Sequence, residues 1–199
     1  MKIIGVCGGS GSGKGSLCRI FYDLGVPSVD TDAVYHELIS GDTPCTRELV
    51  SEFGPQILKN GAVDRAVLGK IVFSDENKRL KLNSIAHKHV LLETSLILEG
   101  FRKEGYSYAI VDAPLLFESG FDSKCDFTVG VLADRETRIS RITSRDNIVR
   151  ENAIKRIDSQ ISDELLSVKC DFTVRNDGSL ADLEREARVL YEKMVNEEI

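Results

Sequence analysis

The stretch K-I-I-G-V-C-G-G-S-G-S-G-K-G-S, Lys2 to Ser16, decides how the rest of the chain is read. Ile3, Ile4 and Val6 form a short apolar run of the kind a strand buried on both faces requires. Four glycines and two serines fill Gly8 to Gly13, Lys14 follows, and a helical pattern then runs through Leu17, Ile20 and Phe21. Strand, glycine-rich loop, lysine and helix in this order make a phosphate cradle. Glycines lack a Cβ, so such a loop turns its N–H groups inward, and the helix N-terminus behind them favours an anion. Lys14 supplies a mobile positive charge for the β- and γ-phosphates.

The pattern G-x-x-x-x-G-K is met from Gly8 to Lys14. Gly15 then stands where a magnesium-binding hydroxyl is usual, and Ser16 comes one residue later. G-K-G-[ST] is also the form this loop takes in adenylate kinases. Magnesium is therefore expected, held through water or by another residue, with Ser16 as a candidate stand-in. A plain glycine turn capped by Ser16 would not explain Lys14.

The composition is that of a soluble globular protein: 199 residues, 29% charged and 42% hydrophobic. A net charge of −6 argues against a general nucleic-acid binder and means that a polyanionic substrate needs a local cluster of positive charge. No apolar run reaches the length of a membrane span, and the first strand begins too early for a signal peptide to precede it. The five cysteines (Cys7, Cys18, Cys45, Cys125 and Cys170) contain no C-x-x-C pair, which suits reduced thiols in a cytoplasmic protein.

Along the chain, Gly25-Val26-Pro27 reads as a turn and Ser28-Val29 as a short strand ending in Asp30-Thr31-Asp32. A helical pattern starts there, through Val34, Leu38 and Ile39. Asp30 or Thr31 can cap it, but two carboxylates exceed what a cap needs. At the C-terminal end of a strand, a carboxylate can accept a hydroxyl proton or orient hydrated magnesium. Residues 43–105 carry almost no strand signal. Gly54-Pro55 and Asn60-Gly61 are turns, Asp64 caps a helix bearing Val67, Leu68, Ile71 and Val72, and Leu82, Ile85, Leu92 and Leu96 mark a long helix from Asp75 to Arg102. The segment reads as a helical insertion, about 41–105, in a core formed by 1–40 and 106–199. His87 and His89 lie within it without metal-ligand spacing.

The sheet resumes at Tyr108–Val111, and Asp112 at its end resembles the carboxylate that meets magnesium through water in nucleotide-binding strands. Phe127–Leu132 is another buried-type strand. From Arg135 to Arg156 there are seven basic residues, and Arg138, Arg141 and Arg145 share one helix face. Such a face is either solvated or used to neutralise transferring phosphate, and the set favours the second. Asp171–Arg175 is the last strand. Asn176 after it either meets a nucleotide base or takes the left-handed turn that asparagine tolerates. Ser179 caps a final helix with Leu180, Leu183, Ala187, Leu190 and Met194 on one side.

Together these pieces resemble the dephospho-coenzyme A kinases. The marks are the loop, V-D-T-D-A-V-Y-H-E-L (Val29 to Leu38), R-A-V-L-G-K-I-V-F (Arg65 to Phe73), L-N-S-I-A-H (Leu82 to His87) and D-A-P-L-L-F-E-S-G (Asp112 to Gly120). Arg141-x-x-x-Arg145, Arg156-x-x-x-Gln160 and C-D-F-T-V-R-N-D-G (Cys170 to Gly178) complete them. Three positions depart from the family pattern: Gly15, Cys7 in place of threonine, and Lys88 in place of proline after His87. The resemblance implies an α/β P-loop kinase fold, with a parallel five-stranded sheet flanked by helices, a helical acceptor-binding region and a lid at about 138–160. It implies ATP-dependent phosphorylation of the ribose 3′-hydroxyl of dephospho-coenzyme A, with magnesium, by a monomer or weak homo-oligomer.

Carried onto this chain, the resemblance gives Gly11, Ser12, Gly13, Lys14, Gly15 and Ser16 to the ATP phosphates and Asn176 to the neighbourhood of adenine. Asp32 becomes the proton acceptor, Arg141 and Arg145 the lid arginines, and His36, Arg65 and His87 the acceptor contacts. Ser16 and Asp112 are the metal candidates. The nearest rival is a nucleoside or nucleoside-monophosphate kinase. A GTPase would want N-K-x-D, whereas Asn77-Lys78-Arg79-Leu80 ends in leucine.

Overall fold

The computed structural model describes residues 1–73 and 75–196. Its elements in chain order are β1 (Lys2–Cys7), α1 (Lys14–Asp23), β2 (Ser28–Asp30), α2 (Thr31–Leu38), α3 (Pro44–Phe53), β3 (Leu58–Lys59), β4 (Ala62–Val63), α4 (Arg65–Phe73) and α5 (Glu76–Lys103). There follow β5 (Tyr108–Asp112), β6 (Phe127–Leu132), α6 (Arg135–Asp146), α7 (Arg150–Asp158), α8 (Asp163–Lys169), β7 (Phe172–Arg175) and α9 (Leu180–Val195). The chain divides into two compact units, one of Met1–Ser28 with Phe101–Ile199 and the other of Val29–Gly100. The second unit therefore takes in α2, which the sequence reading grouped with the core.

The chain forms a five-stranded sheet of order β2-β5-β1-β6-β7, of which β5, β1, β6 and β7 organise the first unit. The pairings of β1 with β5, β1 with β6 and β6 with β7 are parallel. Strands in that setting are apolar because both faces are covered. Ile4, Val6, Ile110, Val129, Val131 and Val174 pack in one core with Leu17, Ile20 and Phe21 of α1 and with Leu183, Ala187, Leu190 and Met194 of α9. Phe21 is fully buried there, and truncating such a residue to alanine costs about 3–5 kcal/mol. Ser179 and Asp182 form a reciprocal capping box that starts α9. Leu180, expected on the packed stripe, is 60% exposed: it is the first helical residue, and the stripe begins one turn later.

The register does the positioning. Val6 lies beside Asp112, and Cys7 beside Gly130, so β1 and β5 end within a residue of each other and β6 runs two residues further in the same direction. Ligands bind at that edge of a parallel sheet. The α6–α7 hairpin turns at Asn147, a left-handed residue, and closes over Ile139, Ile142, Ala153 and Ile157.

The second unit has its own core of Ile39, Cys45, Leu49, Phe53, Ile57, Val63, Leu68, Val72 and Ile85. It contains a β-hairpin, β3 against β4, where the sequence reading gave a turn without strands. Asn60 and Gly61 both have positive φ, as a two-residue hairpin turn demands, but strands of two residues are too short to show alternation. Asp64 caps α4 through the N–H groups of Ala66 and Val67, and Asp75 receives the N–H of Lys78 at the start of α5. On α5 the expected stripe fails halfway. Ile85 is buried, whereas Leu92 and Leu96 are about 60% exposed and Thr94 and Leu98 are buried instead. Nine residues at roughly 100° each put Thr94 on the side of the helix opposite Ile85. The helix changes its buried face midway, which a single-face pattern cannot reveal.

Candidate active site

The loop between β1 and α1 carries the strongest chemistry. Its glycines are dictated by what lies behind them. Gly11 (φ +79) would place a Cβ 2.7 Å from the Arg138 carbonyl oxygen, and Gly13 (φ +95) would drive one into the Asn176 amide. Both positions need the left-handed region and a missing side chain at once. The loop carbonyls face the same support. Ser10 O accepts from Arg138 Nε at 3.0 Å, Gly11 O from Arg141 at 3.3 Å, and Ser12 O from Asn176 Nδ2 at 2.8 Å. A trans peptide points its N–H opposite to its C=O, so this backing turns the N–H groups of Gly11 and Gly13 away from the support. Ser12 is fully buried, and its hydroxyl has no hydrogen-bond partner among the described residues.

Lys14 opens α1 and pairs with Asp112 at the end of β5. The register of Val6 with Asp112 brings the two together, so the strand-end carboxylate lies beside the loop. Gly15 and Ser16 are exposed, and a Cβ on Gly15 would meet nothing within 4 Å. Magnesium needs oxygen ligands and keeps several waters when it arrives on nucleotide phosphates, so it asks for only one or two protein groups. The Asp112 carboxylate and the exposed Ser16 hydroxyl suit that donor set. No cluster of three or more His, Cys, Asp or Glu side chains fit to hold a metal by themselves occurs among the described residues.

Of the four arginines of α6, the three expected on one face, Arg138, Arg141 and Arg145, diverge. Arg138 is buried at 4% exposure, paired with Asp163 at 2.9 Å, and burial pushes its guanidinium pKa down. Arg141 lies against the loop carbonyls. Arg145 is exposed and grips Asp146 through two bonds of 2.7 and 3.1 Å, and Asp146 also holds Arg156. Only Arg138 and Arg141 of the expected face therefore reach the loop. Asn176 is buried, does not take the left-handed conformation, and spends an amide proton on Ser12 O. Cys7, a departure from the family pattern, points into a thiol contact 3.5 Å from Cys170. That hydrogen bond and burial push the Cys7 thiol far up in pKa.

In the helical unit, Asp30 is the cap of α2, accepting from the N–H groups of Asp32 and Ala33. This settles which acid does the capping and leaves the Asp32 carboxylate on the exposed side of the first turn. On the same helix, His36 stands with both ring nitrogens 3.3–3.4 Å from Arg65. His87 is partly buried on α5. Lys88, the third departure, donates to Glu48 at 2.6 Å, and His89 reaches the same carboxylate at 2.7 Å. These two contacts tie α5 to α3 and, Lys88 first, hold the Glu48 carboxyl below its usual pKa.

The contributions of Arg138 and Gln160 escaped the sequence reading. Arg138 was one of a row of basic residues, and Gln160 stood only in the mark Arg156-x-x-x-Gln160. Nothing local distinguishes them, because their partner, Ser10, is more than 120 residues away.

The sequence model of the family described as dephospho-CoA kinase matches residues 2–182. Among similar proteins, a dephospho-CoA kinase of Listeria monocytogenes is 35% identical over 195 residues, covering 98% of each chain. A Campylobacter jejuni structure titled as a dephospho-CoA kinase has a TM-score of 0.74 at 27% identity, covering all of both chains. A Thermus thermophilus structure, TT1252, reaches a TM-score of 0.80 at 28% identity, covering 96% of this chain and 97% of that one. The match runs unbroken from the phosphate loop through the helical unit to α9, and the chain belongs to the dephospho-CoA kinase family.

Proposed function

We propose that the protein transfers the γ-phosphoryl group of ATP to the ribose 3′-hydroxyl of dephospho-coenzyme A, giving coenzyme A and ADP, the last step of coenzyme A synthesis. The observation that carries this is the phosphate loop, held from behind by Arg138, Arg141 and Asn176, in a chain matched to this family over nearly its whole length. Phosphoryl transfer needs alignment and charge neutralisation more than covalent chemistry. Gly11 to Ser16 surround the phosphates, and Lys14 exchanges Asp112 for them. Asp32 takes the proton of the attacking hydroxyl, a role suited to a carboxylate whose companion, Asp30, does the capping. Arg141 neutralises charge on the transferring group, and Arg145 joins it if it leaves Asp146. Asn176 holds the loop and, with its carbonyl side, borders the nucleotide. His36, Arg65 and His87 hold the acceptor.

Asp112 and Ser16 would hold magnesium, which would supply neutralisation of the phosphate charge. The enzyme works in the cytoplasm as a monomer or weak homo-oligomer, without nucleic acid or membrane. All five cysteines are free, and no helix among the described residues is long and apolar enough to cross a membrane.

The test is ADP release from MgATP with dephospho-coenzyme A or AMP as acceptor, with the products weighed by mass spectrometry. Coenzyme A formation with the first acceptor alone is the expected outcome. Turnover only with AMP would move the protein to the monophosphate kinases.

A further inference from the structure

Ser10 is gripped on every polar atom. Its N–H donates to Gln160 Oε1 at 2.9 Å, its hydroxyl accepts from Gln160 Nε2 at 3.3 Å, and its carbonyl accepts from Arg138 Nε at 3.0 Å. Gln160 Oε1 also accepts from Arg138 at 3.1 Å, and Asp163 pairs with the other end of that guanidinium at 2.9 Å. Gly9 belongs to the same device, since a Cβ there would overlap the Arg138 guanidinium. The two gripping residues come from opposite ends of the α6–α7 hairpin: Arg138 from the first turns of α6, and Gln160 from just after α7. Side chains from both ends of the hairpin thus meet at one loop residue, Ser10.

We propose that Gln160, with Arg138, is a positioning residue for nucleotide binding: it fixes Ser10 and thereby the conformation in which the loop receives a polyphosphate. The inference rests on the reading of the loop as a nucleotide-phosphate site. Its physical content is that Gln160 satisfies one donor and one acceptor of Ser10 while orienting Arg138. If its amide is lost, the Ser10 N–H is unsatisfied and the guanidinium loses one of its three partners, keeping Asp163 and the Ser10 carbonyl. The device also confines any closing motion of the hairpin to the residues between its two anchored roots.

The experiment compares wild type with Gln160→Leu and Gln160→Glu. ADP affinity is measured by calorimetry without acceptor, and KM values are then measured for ATP and for dephospho-coenzyme A. Gln160→Leu is expected to weaken ADP binding and raise the ATP KM by about tenfold, with the acceptor KM within twofold. Gln160→Glu keeps an oxygen for the Ser10 N–H and for Arg138, and the Ser10 hydroxyl can turn to donate to it. That variant is expected to bind ADP within about threefold of wild type. ADP binding by Gln160→Leu equal to wild type overturns the proposal, as do equal losses in both variants, which would mark Gln160 as packing alone. If wild type itself binds no ADP, the loop reading fails and the proposal fails with it, an outcome separate from a clamp that does not matter. Should Gln160→Leu fold poorly by circular dichroism, the glutamate variant and Arg138→Lys decide. Lysine cannot span Ser10, Gln160 and Asp163 at once, so Arg138→Lys is expected to show the same split between the two KM values.

Discussion

Around the phosphate loop three successive carbonyls are held from behind: those of Ser10, Gly11 and Ser12 accept from three different side chains, and two glycines leave no room for substitution. In the helical unit from Val29 to Gly100, the candidate working side chains stand exposed: Asp32 in the first turn and His36 in the last turn of α2, and Arg65 at the start of α4 beside His36. The first arrangement suits a ligand common to many kinases, whose triphosphate must be met in one geometry. The second suits an acceptor that is itself part of the site, because exposed groups gain their geometry from the molecule they bind. Substitutions near the loop should therefore act through backbone shape, and substitutions in the helical unit through the side chain removed.

The sharpest break in that contrast is Asp32→Asn. It removes the proposed proton acceptor and leaves the cap at Asp30 intact, so turnover should fall by roughly 10²–10⁴-fold with ATP affinity and thermal stability nearly unchanged. Single-turnover kinetics with saturating substrates would measure it. An unaltered rate would take Asp32 out of the reaction. Gly13→Ala is the matching break on the loop side. It forces a Cβ into the Asn176 amide at a φ of +95, and a strained left-handed residue alone costs about 1–2 kcal/mol. ADP binding should weaken by roughly 10²-fold, counting the loss of the Asn176 bond to Ser12 O. A titration that found wild-type affinity would show that the loop is more pliable than its contacts suggest.

How much of this could be read in the sequence follows the same division. β1, the loop and α1 were legible because strand, glycines and lysine are contiguous. The ends of β5 and β6, and the caps at Asp64 and Ser179, were legible for the same reason. What supports the loop was not. Arg138, Gln160 and Asn176 reach it from 120 or more residues away, and only the fold tells an arginine aimed inward from its neighbour Arg145, which closes on Asp146. The change of buried face along α5 was hidden because Leu92 and Leu96 continue the pattern of Ile85 although the packing does not. The β3–β4 hairpin left only its Asn-Gly turn as a trace.

A smaller effect separates acceptor binding from the loop. Arg65→Ala removes the cation beside His36, and charged hydrogen bonds to a ligand are worth about 1.5–3 kcal/mol. The KM for dephospho-coenzyme A should rise about tenfold or more, with the ATP KM within twofold. A parallel rise in both constants would mean that the helical unit and the loop do not divide the two substrates between them.

The smallest expected effect concerns the hairpin itself, whose exposed ion pairs contrast with the buried Arg138–Asp163 pair at its root. Asp146 binds Arg145 first and Arg156 second, and these guanidinium groups pull its pKa down from 3.8 to about 2. A carboxylate with a depressed folded-state pKa stabilises the fold fully above its unfolded value, and the benefit is lost as the pH falls through the folded value. The Tm of wild type should therefore exceed that of Asp146→Asn by a small, constant margin above about pH 5, and the margin should close between about pH 4 and pH 2. Because the pair is exposed, salt should shrink the margin as well. A margin that stayed constant down to pH 2 would mean that Asp146 acts through its shape and hydrogen bonds rather than its charge. Arg145 would then leave it for a phosphoryl group without an electrostatic cost, and the hairpin would be freer to rearrange than the loop it is rooted in.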